Sequence, residues 1–162
     1  DVVLNNLSGM AWTTKKIGLT SDGRPWRPLV HILDISQAFA RVLDAPREVV
    51  HGQIFNVGAT EENYRVREIA QIVANVFPGC ELTIGQSDKD DRSYRVNFDK
   101  IKNILPGFEC QWTAQKGAEE LCEIFDSINM AAETFEFRAF TRLKQLQHLI
   151  ATQQIDDHFY WK

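Results

Sequence analysis

Arg27 and Arg92 are the residues of this 162-residue chain best suited to hold a charged ligand. A guanidinium presents a planar fork of donors that matches phosphate oxygens, and each charge-assisted hydrogen bond of that kind contributes roughly 1.5–3 kcal/mol. Each arginine stands at the end of a patterned segment. Arg27 follows the Ser21-Asp22-Gly23 turn, and Arg92 follows the polar run from Gly85 to Asp91. Together they would suit a clamp on a diphosphate; separately, each could be an ordinary surface salt-bridge partner. Lysine would supply the charge without the fork.

Other chemistry is thinly represented. His31, His51, His148 and His158 are scattered and fall into no triad or metal-ligand spacing with the acidic residues. Cys80, Cys110 and Cys122 are odd in number, far apart and without a C-x-x-C, which speaks against a zinc site or a disulfide framework and for reduced, cytoplasmic thiols. No G-x-G-x-x-G or G-x-x-G-x-x-G follows an apolar run, so nothing here is built to cradle a dinucleotide pyrophosphate.

The elements that must position the arginines can be read from periodicity. Val3, Leu4, Leu7, Met10 and Ala11 recur at helical spacing over residues 2–14, interrupted by Gly9, with Asn5 and Asn6 in the first turns. Residues 17–20 alternate as a short strand leading into the Asp22-Gly23 turn. An apolar run over 29–33 then meets an amphipathic helix opened by Asp34, with Gln37 completing a capping box and Pro46 beyond its end. Ile35, Ala38, Phe39, Val42 and Leu43 lie on one face, which is expected to be core. Residues 53–58 read as a buried parallel strand in which Asn56 must be hydrogen-bonded.

The clearest helix spans 61–77 and stops at Pro78-Gly79. A short strand over 81–84, a brief helix over 99–105 and a longer one over 114–128 capped at Trp112-Thr113 complete the main body. Phe135, Phe137, Phe140, Leu143, Leu146, Leu149 and Ile150 predict one more helix, followed by the aromatic tail Phe159-Tyr160-Trp161. The chain thus divides into residues 1–128 and a helical extension, 129–162.

Four of these stretches, in this order, resemble a known family: Arg27-Pro28-Leu29-Val30-His31-Ile32-Leu33-Asp34 after a glycine turn, Phe55-Asn56-Val57-Gly58, Asp91-Arg92-Ser93-Tyr94, and Phe98-Asp99-Lys100-Ile101. The pattern is similar to the C-terminal, substrate-binding half of an extended short-chain dehydrogenase/reductase of the NAD-dependent nucleotide-sugar epimerase/dehydratase type. The first string departs from the family's commoner Arg-Asp-Phe-Val-His-Val-Asp-Asp. The resemblance implies an α/β fold, the C-terminal portion of an NAD(P)-binding Rossmann-type protein with a small mixed α/β substrate-binding subdomain. It implies that Asn6, Arg27 and Arg92 contact the nucleoside diphosphate, with Asn5, Asn63, Tyr64 and Tyr94 as further candidate contacts. NAD would be bound mainly outside this chain, by a missing N-terminal half, in an enzyme compatible with a homodimer.

The family's catalytic Tyr-x-x-x-Lys is absent, since Tyr64 is followed four residues on by Glu68 and Tyr94 by Phe98. The resemblance therefore implies a fragment that binds and does not catalyse, part of a longer isomerase or lyase. The start at Asp1, with apolar Val2-Val3-Leu4 at the terminus, also reads as a chain that begins mid-domain. A noncatalytic nucleotide-binding or regulatory protein on this scaffold, or an assembly subunit working through its aromatic tail, are the alternatives.

Composition is compatible with all three. A chain this long can bury roughly 70% of its unfolded surface, and 44% hydrophobic with 25% charged residues is ordinary for a globular domain. A net charge of −4 argues against nonspecific nucleic-acid binding. No apolar run reaches the ~18 residues that span a bilayer, and no signal pattern opens the chain.

Overall fold

A computed structural model describes residues 3–87 and 92–162. The chain opens with helix α1 (Val3–Thr14), which buries Leu4, Leu7 and Ala11 and runs through Lys15, at φ 56°, into strand β1 (Lys16–Ser21). Strand β2 (Trp26–Pro28) and helix α2 (Ile32–Asp44) follow, then the single turn α3 (Arg47–Val50). Strand β3 (Asn63–Arg65) leads directly into helix α4 (Val66–Val76), and strand β4 (Glu81–Ser87) completes the strands among the described residues. Helices α5 (Asp99–Ile104), α6 (Ala114–Ser127), α7 (Ala132–Glu136) and α8 (Arg142–Ala151) make up the rest.

Two small sheets organise this α/β fold. β1 and β4 pair in parallel from Lys16↔Glu81 through Leu19↔Ile84, with a shift in register before Ser21↔Ser87. β2 and β3 pair antiparallel, Trp26 opposite Arg65, Arg27 opposite Tyr64 and Pro28 opposite Asn63. The main core forms where α1, α4 and α6 meet, from Leu4, Leu7, Ala11, Ile69, Ala70, Val73, Ala114 and Ala118, with Ile17 of β1 and Phe77. A second core gathers Ala38, Phe98, Ile101, Leu105 and Phe108.

Several expectations need correction. α2 starts two residues before Asp34, and His31 is its N-cap, accepting the Leu33 N–H through Nδ1. Asp34 is buried and instead accepts the main-chain N–H groups of Gln111 and Trp112, while Gln37 accepts that of Glu109. A capping box needs both side chains at the helix end; here tertiary partners claim them. Of the apolar face, Ala38 is buried and Val42 packs on the second core, but Phe39 is 69% and Leu43 86% exposed.

Residues 53–58 form no strand. Phe55 and Val57 pack on the second core and Ile54 and Asn56 face outward, so the alternation is present without a ladder partner to convert it into a sheet. Asn56 is accordingly exposed. The helix expected over 61–77 begins only at Val66, after a 3-10 turn at Thr60–Glu62 and β3. Glu68 folds back onto the Arg65 N–H at 2.6 Å, which stops the helix from extending further upstream. The C-terminal helix is divided into α7 and α8 by a 3-10 turn at Arg138–Phe140, and the side chain of Phe140 lies outside the described residues, as does Asp91.

The helices over 99–104 and 114–127 form where periodicity predicts them, and Thr113 caps the second by accepting the Lys116 N–H at 3.2 Å. All three cysteines are free thiols. Among the described residues no helix is long and apolar enough to cross a membrane.

Candidate functional site

The β2–β3 ribbon brings Arg27 to the main chain at Arg92. Alternation along a strand puts Arg27 and its cross-strand neighbour Tyr64 on one face, with Trp26 and Arg65 on the other. On its free edge β2 receives residues 92–96: Trp26 accepts the Tyr94 N–H at 3.4 Å, and its own N–H donates to Ser93 Oγ at 3.1 Å. The Arg27 guanidinium donates through Nη1 to the carbonyls of Trp26 and Arg92, and lies 5.6 Å from the centre of the Tyr94 ring. The Arg27 guanidinium, the Arg92 carbonyl and the Tyr94 ring therefore lie together.

Tyr64 donates its hydroxyl to Glu62 Oε2 at 2.9 Å. Burial, reinforced by that carboxylate, pushes its pKa up to about 12, so the phenol stays protonated and cannot serve as a base near neutrality. The same Glu62 oxygen accepts the Ala114 N–H at 2.9 Å, tying the ribbon to the first turn of α6. Asn63 is buried, and its amide donates to the carbonyls of Thr60 and Val96 and accepts the Val96 N–H, all at 2.9 Å. Its amide fastens the 92–96 segment to β3.

Asn5 and Asn6 are both exposed on α1 and face different surroundings. Asn5 lines a cleft of about 60 Å³ with Leu29, His31, Glu62, Trp112 and Thr113, whereas Asn6 contacts Met10 Sδ one turn along. His31 is stacked on Trp112 with ring centres 3.9 Å apart. Since its Nδ1 accepts the Leu33 N–H, the neutral ring carries its proton on Nε2, 2.8 Å from Glu120 Oε2. Glu62 and Glu120 escaped the sequence reading, which took Trp112 only as part of a helix cap. None belongs to a motif, and only the tertiary fold places them beside His31 and Tyr64.

The described residues form no dinucleotide cradle. β1 and β4, the parallel pair, continue into the Asp22-Gly23 turn and into the stretch after Ser87, and neither carries a glycine run opening a helix. No cluster of His, Cys, Asp or Glu among the described residues could hold a metal ion.

Comparison with known proteins bears on the fold and on part of the sequence. Residues 2–58 match the model of the NAD dependent epimerase/dehydratase family. No curated protein sequence matches the chain. Among solved structures, the PbgP3 protein from Burkholderia pseudomallei is similar at 20% identity and TM-score 0.63, over 77% of this chain and 38% of its own. The NAD dependent NDP-hexosamine 5,6-dehydratase TunA, involved in tunicamycin biosynthesis, is similar at 16% identity and TM-score 0.64, over 78% and 41%. An L-threonine dehydrogenase from Phytophthora infestans is similar at 14% identity and TM-score 0.63, over 76% and 40%. The chain thus spans about two fifths of the length of these structures. The family match thus covers residues 2–58, and the likeness to solved structures shows a shared α/β fold over about three quarters of the chain.

Proposed function

We propose that this chain supplies the substrate side of an NAD-dependent nucleotide-sugar epimerase or dehydratase, holding the nucleoside diphosphate while a dinucleotide-binding portion beyond these residues holds NAD. The observation that carries the reading is the junction of Arg27 with the 92–96 segment, in which its guanidinium meets the Arg92 carbonyl and the Tyr94 ring. Arg27 and Arg92 bind the diphosphate oxygens, Tyr94 flanks them, and Asn5 or Asn6 adds a neutral donor from α1. Asn63 and Tyr64 hold the ribbon in shape. NAD, when bound by the complete enzyme, supplies hydride acceptance and return; without a Tyr-x-x-x-Lys, the chain alone turns nothing over.

The family match over residues 2–58 and the likeness to an NDP-hexosamine dehydratase support the substrate class. The exposed apolar residues Phe39, Leu43 and Ile54 and the unpaired 53–58 stretch support a second body packing there in the whole protein, which can also be a homodimer. Calorimetric titration of UDP and of NAD against the full-length enzyme and its Arg27→Ala and Arg92→Ala variants tests the reading. Each variant should weaken the diphosphate about ten- to a hundredfold and leave NAD unchanged. Equal loss of both ligands, or no loss of either, would remove it.

A further inference from the structure

Behind the Arg27 surface, the opposite face of the same ribbon carries a second cationic and aromatic layer. The Trp26 ring has the Arg65 guanidinium 5.2 Å and the Arg95 guanidinium 4.6 Å from its centre. Arg65 belongs to β3 and Arg95 to the irregular segment at the other edge of β2, so one indole is approached by cations from both sides of β2. This layer acts beside other links to residues 92–96, among them the Arg27 guanidinium on the Arg92 carbonyl. The direct main-chain bond to β2, from the Tyr94 N–H to the Trp26 carbonyl, is long at 3.4 Å, and the Ser93 hydroxyl adds another link. Asn63 fastens the segment only at Val96.

We propose that Trp26, with Arg65 and Arg95, is a positioning device: the cation–π layer clips residues 92–95 onto β2 and thereby fixes Arg92 and Tyr94 beside Arg27 on the ligand-facing side. This rests on the preceding reading of Arg27 and Arg92 as the diphosphate contacts. Strand alternation makes the clip work from the back. Residues 94 and 95 point to opposite faces, so a hold on Arg95 orients Tyr94 toward Arg27 without obstructing the ligand surface. A guanidinium over an indole face is the strongest pairing of its kind, and neither partner needs to be buried for it to act.

The clip is tested by variants that leave the core alone. Arg95 is exposed, so Arg95→Gln removes the cation without opening a cavity, and Arg95→Lys keeps a cation that can sit over the ring. Hydrogen exchange in the unliganded protein is the first readout. Arg95→Gln should speed exchange of the Tyr94 amide about two- to fivefold, Arg95→Lys should restore most of the protection, and helices α4 and α6 should exchange as before. Trp26→Leu should speed it further, because both cations lose their ring.

The second readout is UDP affinity, which Arg95→Gln should lower about two- to fivefold and Arg95→Lys should largely recover. Unchanged Tyr94 exchange in both Arg95→Gln and Trp26→Leu would overturn the clip, whatever UDP does. Faster exchange with no UDP binding by the unaltered protein would uphold the clip and overturn the diphosphate reading.

Discussion

Asp34, only 2% exposed, accepts the Gln111 N–H at 2.9 Å with one carboxylate oxygen and the Trp112 N–H at 3.2 Å with the other. One side chain of α2 thus holds the segment that leads into α6, and with it Trp112, on which His31 stacks. Two main-chain donors depend on it. Replacing Asp34 by Ala orphans both at about 1–3 kcal/mol each, so the variant should unfold about 3 kcal/mol more easily in urea. Asn keeps one acceptor and should cost about half as much. A loss below about 1 kcal/mol for Ala would mean that water replaces the carboxylate without penalty.

The exposed face of α2 leads to the opposite expectation. Phe39→Ala in this chain should change stability by less than about 1 kcal/mol, since the ring is largely in water already and leaves no cavity. Ile69→Ala, from a fully buried position between α1 and α6, should cost about 2–5 kcal/mol. In a whole protein where a second body covers α2, Phe39→Ala should become costly. Comparing the two contexts by urea unfolding measures how much of that face is an interface.

These two cases show what the sequence could and could not convey. The helices over 99–104 and 114–127 carry apolar stripes that meet a core within the chain, and Thr113 caps locally, so periodicity and capping sufficed to place them, whereas the stripe over 66–76 was legible but its helix starts five residues later than expected. The stripe on α2 is just as regular, but periodicity reports that a face is apolar and not what covers it. Asp34 looked like a cap because its partners, Gln111 and Trp112, lie far along the chain.

At the site, the strings containing Arg27 and Arg92 were legible in the sequence, and the fold brings the Arg27 guanidinium to the Arg92 carbonyl. The Trp26 layer was not, although a tryptophan beside Arg27 and an arginine beside Tyr94 were the available signal. Reading it required the strand register that puts Arg65 and Arg95 on the same ring.

Cys110 gives a pH-dependent expectation. Burial, with the nearby Asp34 carboxylate adding to it, pushes its thiol up to about 11. A folded-state pKa raised above the unfolded one means that the native form holds the proton more tightly. The associated stability is therefore complete below about pH 9 and is lost as pH rises toward 11. Iodoacetamide should accordingly label Cys110 more slowly than an unfolded-chain thiol at pH 8, and the rate should climb only through the pH 9–11 window. Asp34→Asn should shift that climb downward only in part, because burial is the larger cause. Peptide mapping after timed alkylation reads the outcome, and labelling at the rate of the denatured chain would contradict the burial.

The docking of the C-terminal extension on α1 can be tested by a change of sign. The Phe135 ring lies against Gly9, where an added Cβ would come within 2.0 Å of the ring, and Trp12 Nε1 donates to the Met130 carbonyl at 2.8 Å nearby. Gly9 sits inside a helix without positive φ, so Ala there improves helix propensity by about 1 kcal/mol when nothing obstructs it. With Phe135 in place, the methyl forces the ring out, and overpacking of this kind costs about 1–3 kcal/mol. Gly9→Ala should therefore destabilise the chain, whereas in a Phe135→Ala background the same change should stabilise it by up to about 1 kcal/mol. A double-mutant cycle by urea unfolding isolates the coupling between the two positions. Additive effects, with Gly9→Ala showing the same sign in both backgrounds, would mean that Phe135 does not rest on Gly9 in solution and that the extension leaves α1 uncovered.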